Sequence, residues 1–128
     1  MITHNYDEVN NLLDLVFIGK NGLSEVYKAI DFIMDLPLMQ KNLYVRIIIQ
    51  KDSFGFGVKE LASILKYNRR ITLKYEKVIA ALVVNDPVQT AISYLFRDGL
   101  EGLNYYCRVF SSFKAATRWL YIDIKRKC

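Results

Sequence analysis

Cysteine, histidine and proline are scarce in this 128-residue chain, which holds two, one and two of them. The two thiols are Cys107, inside an apolar run, and Cys128, the last residue. They do not make a disulfide framework. With His4 as the single imidazole and no CxxC or HxxxH spacing, the thiols do not close a four-ligand zinc site either, so neither metal nor other cofactor is expected. A nucleophilic hydroxyl needs a base within hydrogen-bond reach, usually a histidine. Ser53, Ser111 and Ser112 lack one and read as turn or capping residues. No apolar run exceeds the seven residues of Val78 to Val84, against the roughly twenty that cross a bilayer. A membrane span is excluded. Met1 to Val9 carries His4, Asp7 and Glu8 before any apolar stretch, unlike a secretory leader, and a cytoplasmic location is expected. The formal charge of +5 owes three positives to Lys125, Arg126 and Lys127. The body is mildly basic, with no basic and aromatic stripe, so no nucleic acid is expected as a partner.

What the chain does have is apolar mass, 52% of residues with 13% aromatic, enough for one domain over 1–128 with its core at about 12–120. Two periodicities alternate along it. Leu12 to Ile18, Leu43 to Ile49, Val78 to Val84 and Tyr105 to Phe110 are apolar and of strand length. The middle two are nearly continuous, as central strands buried on both sides are, while the outer two alternate with polar residues like edges. Helical periods lie between and after them. Ser24 caps a helix to Leu36 stopped by Pro37, and Val58 to Tyr67 repeats the pattern. Asp86, Pro87 and Gln89 start a third helix that Gly99 ends, and Ser112 caps a fourth. Arg70 to Lys77 alternates like an exposed strand and reads as a connection with a short strand. The fold class is therefore α/β: a small mixed, largely parallel sheet of four to five strands with about four helices packed mainly on one face.

Candidate chemistry is thin. Gly55-Phe56-Gly57 opens the second helix, but a dinucleotide fingerprint needs a third glycine where Glu60 stands. It reads as a tight turn packed by Phe54 and Phe56. Gly19-Lys20-Asn21-Gly22 lacks the ending of a phosphate-binding P-loop. Asp52 and Asp86 are better explained as capping residues than as a carboxylate pair. An enzymatic site would instead gather Asp52, Ser53, Asn85 and Ser112 in one polar cleft.

Three segments carry a family resemblance: Val78 to Val84 followed by Asn85-Asp86-Pro87; Arg108-Val109-Phe110 with Ala115, Ala116, Trp119 and Leu120; and Gly19 followed by Leu23-Ser24-Glu25. From Leu12 to Leu120 the chain resembles STAS-like domains, the group of bacterial anti-sigma-factor antagonists and the cytoplasmic domains of sulphate transporters. It looks closest to the stand-alone branch compared with lipid-binding CRAL-TRIO folds. The resemblance implies protein-protein signalling or binding of an apolar ligand, and not catalysis. The antagonists accept a phosphoryl group on a Ser or Thr at the start of the second helix. Here that stretch is Phe54-Gly55-Phe56-Gly57-Val58, without a hydroxyl, and Ser53 lies a few residues early.

The expected function is thus a non-enzymatic, cytoplasmic, bacterial interaction module that binds an unidentified protein near the start of the second helix. Phe54 and Phe56 would form an apolar knob, with Lys51, Asp52 and Lys59 as a charged rim and Ser53, Asn85 and Asp86 beside it. The alternative is a carrier of a lipid-like or other apolar small ligand, held between sheet and helices. A homodimer is a further expectation, through edge pairing of Ile71 to Tyr75.

Overall fold

A computed structural model describes residues 1–38 and 40–126; Lys127 and Cys128 lie outside them. In chain order the elements are β1 (Ile2–Asp7), β2 (Leu12–Phe17), α1 (Leu23–Asp35), β3 (Asn42–Ile49), α2 (Val58–Lys74), β4 (Lys77–Val83), α3 (Pro87–Gly99), β5 (Tyr105–Phe110) and α4 (Phe113–Lys125). The strands form one sheet in sequential order, β1 antiparallel to β2 and the rest parallel. Each parallel step needs a crossover, and right-handed crossovers that advance in one direction place their helices on one face. So α1, α2 and α3 share a face and α4 covers the other.

Alternation along the strands feeds both faces. In β4, Val78, Ala80 and Leu82 join the core beneath α1 and α2, whereas Ile79, Ala81 and Val83 pack on Ala116, Leu120 and Ile124 of α4. Among the described residues no helix is long and apolar enough to cross a membrane.

Four sequence expectations need correction. Helix α1 is capped by Gly22 rather than Ser24, and the Glu25 carboxylate turns back to accept from the Gly22 N–H at 2.9 Å. Strand β2 is not an edge, because β1 covers it. The β1 segment is polar, but Ile2 and Tyr6 pack on the core and His4, at the same period of two, stacks on Phe32 at 3.7 Å. Arg70 to Lys77 is not a connection carrying a strand, since α2 runs through Lys74. Ile71 and Tyr75 are four apart, share one helical face and are both buried, while Leu73 between them is 87% exposed. Period two along ITLKY was an accident of that exposed leucine. The edge-pairing route to a homodimer goes with it, as a helix has no free ladder to offer.

The extra turns of α2 also close α1. Lys74 donates from Nζ to the carbonyls of Ile33 at 3.0 Å, Met34 at 2.9 Å and Leu36, covering the carbonyl end of α1. Burial lowers its pKa from the usual lysine range.

Candidate functional site

The loops after β2, β3 and β4 meet at the carboxyl end of the parallel strands, where open α/β sheets receive ligands. Two buried amide side chains lock them together. Asn21 donates its backbone N–H to the Ser53 carbonyl at 3.0 Å and Nδ2 to the Ser53 and Gly19 carbonyls at 3.1 and 2.9 Å. Gly55 N donates to the Asn21 carbonyl at 2.7 Å. A Cβ at Gly55 would stand 2.9 Å from that oxygen, so only glycine allows the approach. On the other side, Gln89 accepts at Oε1 from the N–H groups of Ser53 at 2.8 Å and Phe54 at 2.7 Å. It donates from Nε2 to the Gln50 carbonyl at 2.9 Å and Asp86 Oδ1 at 2.6 Å.

This network decides where the expected site residues go. Ser53 is fully buried, its Oγ donating to the Gln50 carbonyl at 2.7 Å. The α2 N-terminus is occupied as well, because Glu60 Oε2 accepts from Gly57 N at 2.9 Å. A phosphoryl group would find a sequestered hydroxyl and a carboxylate already at the helix end. Lys51, Asp52 and Lys59 are exposed, with Asp52 in the left-handed region at φ 55°. Lys51, Asn85 and Asp86 do converge: with Gln50, Ile48 and Pro87 they line an open groove of about 510 Å³. Asp52, Ser53 and Ser112 do not line it. Ser112 instead accepts from Ala115 N at 3.3 Å as the cap of α4.

Phe54 and Phe56 belong to a different place. They stack on each other at 4.6 Å, and Phe54 meets Phe17 edge-on at 5.6 Å. Both are half-buried. Neither projects as a free knob. Their inner sides close an apolar cavity of about 90 Å³ between the sheet and the three helices. Its walls include Leu15 and Val45 from the sheet, Ala29 from α1, Ile64 from α2 and Ile92 from α3.

Two polar side chains reach this apolar space, and the sequence reading passed over both in that role. Ser93 is satisfied, donating from Oγ to the Gln89 carbonyl at 2.8 Å. Asn68, 3% exposed, lines the cavity with its Nδ2 lacking any hydrogen-bond partner. A signal existed: Leu61, Ile64, Asn68, Ile71 and Tyr75 follow heptad-like inward spacing, and one member is an amide. Tyr105 also lines the cavity, and burial, as the leading cause, pushes its phenol well above the usual tyrosine range.

Among the described residues no group of three or more His, Cys, Asp or Glu is placed to hold a metal ion. Comparison with protein-family models, with curated proteins and with solved structures returned no match.

Proposed function

We propose that the domain is a binding module, not an enzyme, and that its ligand is a small apolar molecule held between the sheet and α1, α2 and α3. The observation that carries this reading is the apolar cavity of about 90 Å³ beneath Phe54 and Phe56. Its size sets the ligand class. A cavity of roughly 150 Å³ lined by apolar side chains stays dry and admits benzene. The occupant here is smaller than benzene, and a whole acyl chain is too large. The resemblance to STAS-like domains, which implies binding and not catalysis, is part of this proposal.

Titration with isobutene and acetone, followed through the methyl resonances of Ile30, Ile64 and Ile92, tests the reading. Saturable shifts confined to those methyls are expected, and their loss in Ala29→Leu, which fills the space. If neither probe produces a saturable shift, the reading fails.

A second reading is docking of another protein at the same end of the sheet. It is favoured by Val58 and Val88, which stand 60% and 70% exposed in the first turns of α2 and α3, beside the Lys51, Asp52 and Lys59 rim. Its test is partner capture by the parent protein against the Val58→Ser/Val88→Ser variant. Identical recovery of partners counts against this surface.

A further inference from the structure

A buried amide group without a partner is costly, which is why nearly all such groups in folded proteins are paired with protein or water. Asn68 breaks that rule at a wall of the apolar cavity, with Nδ2 free of any hydrogen bond among the described residues. Neighbouring groups do not repair it. The Ser93 hydroxyl is directed to the Gln89 carbonyl, and the Tyr105 phenol stands close enough for the Asn68 side chain to draw its pKa down against burial, yet outside hydrogen-bond geometry for Nδ2. The rest of the lining is almost wholly hydrocarbon, from Leu15 and Val45 on the floor to Ile64, Ile92 and Phe96 around it. A ligand that fits must satisfy two conditions at once: an apolar body, and one acceptor atom facing α2.

We propose that the occupant of the cavity carries a single hydrogen-bond acceptor, a carbonyl or ether oxygen on a compact hydrocarbon body, and that Asn68 Nδ2 donates to it. This rests on the small-ligand reading and adds the polar half of the recognition. A purely hydrocarbon ligand would leave the amide as it stands, unsatisfied and out of reach of solvent. A charged ligand would be worse, because among the described residues no cation or carboxylate lines the space to receive it. Selection therefore falls on neutral molecules such as small ketones, ethers and aldehydes, and the discriminating atom is one amide nitrogen.

Acetone and isobutene have the same shape and differ by an oxygen in place of a methylene, so the ratio of their affinities isolates that atom. The ratio is compared between the parent protein, Asn68→Leu and Ser93→Ala, so that hydration differences between the probes cancel. Asn68→Leu is close in volume and removes a buried polar group, a change that folded proteins tolerate well. In it the acetone-to-isobutene ratio is expected to fall about tenfold. In Ser93→Ala it is expected to stay at the parent value. A ratio that does not move in Asn68→Leu, with both probes still binding, overturns this inference and leaves the small-ligand reading standing. Absence of binding by either probe removes both. A crystal structure of the acetone-soaked protein with a water on Nδ2 and no acetone in the cavity also overturns the inference.

Discussion

The two faces of the sheet solve the same packing problem differently. On the α4 face, small residues let helix and sheet approach closely: Ala81 and Ala116 are fully buried against each other's neighbours Tyr44 and Leu120. Among the described residues no buried side-chain polar atom on this face lacks a partner. Arg46 donates from Nε to Asp14 Oδ1 at 2.6 Å, from Nη2 to Asp14 Oδ2 at 2.9 Å and from Nη1 to Thr117 Oγ1 at 2.9 Å, with its guanidinium 4.5 Å over the Phe113 ring. Tyr44 donates to Asp123 Oδ2 at 2.7 Å. The face of α1, α2 and α3 instead keeps a void of about 90 Å³ and an amide with no partner. At about 24 cal/mol per Å³, an empty space of that size costs about 2 kcal/mol. One face is finished for stability. The other has room left in it, and a ligand of the right chemistry recovers what the packing forgoes.

Perturbing the closed face should do the greater damage. Arg46→Met strands the Asp14 carboxylate, whose side chain is 23% exposed, and orphans Thr117. A loss of about 3 kcal/mol in urea denaturation is expected, with Asp14→Leu added to it restoring most of that loss. On the open face, Gln89→Leu strips the N–H groups of Ser53 and Phe54 of their shared acceptor, and about 2 kcal/mol should go with it. It should also weaken probe binding, because the loop that carries Phe54 over the cavity is no longer held. The sharpest comparison uses one substitution on each face. Ala116→Leu overpacks a position with no exposure and should destabilise by about 2 kcal/mol. Ala29→Leu grows into the cavity and should stabilise by up to about 1 kcal/mol. Equal destabilisation by both would mean that the void is not open to a side chain, and the contrast between the faces would collapse.

Much of this asymmetry is legible in the chain, and the missing part has a physical reason. The four parallel strands and the starts of α3 and α4 follow from apolar runs and from Asp86-Pro87 and Ser112, because strand burial and capping are local and leave local marks. Strand β1 escaped because its residues are polar, and only pairing with β2 makes it a strand. The last turns of α2 escaped because Leu73 imitates an alternating pattern that tertiary packing ignores. Phe54 and Phe56 lie on the loop between β3 and α2, as the run of glycines around them implies. Their inward side leaves no such mark, since a half-buried aromatic and an exposed one look alike in sequence. Gln89 reads as part of a capping motif, and in the structure it also serves Gln50, Ser53 and Phe54, 35 to 39 positions earlier. Long-range hydrogen bonding of that kind has no sequence period. The void has none either, being what is left where the sheet and three helices meet.

The smallest expected effect concerns Cys107, on the face of β5 that packs with the open core. Burial pushes its thiol up to about 12, and Arg97 pulls the other way without prevailing. Cys107 is half-buried and borders an open groove beside Arg97 and Tyr106, so a low thiolate fraction rather than lack of access should slow its alkylation at pH 8. Neutral-pH stability should hardly change in Cys107→Ala. Above the unfolded-state pKa near 9, the unfolded chain loses the thiol proton while the folded chain keeps it, so stability falls as pH rises from there toward about 12. Tyr75, also raised to about 12 by burial, adds a slope of the same sign starting about one unit higher. The difference between parent and Cys107→Ala in urea midpoints from pH 8 to 11 isolates the thiol. A difference that stays constant across that range would mean that water from the groove hydrates the thiolate and cancels the effect of burial.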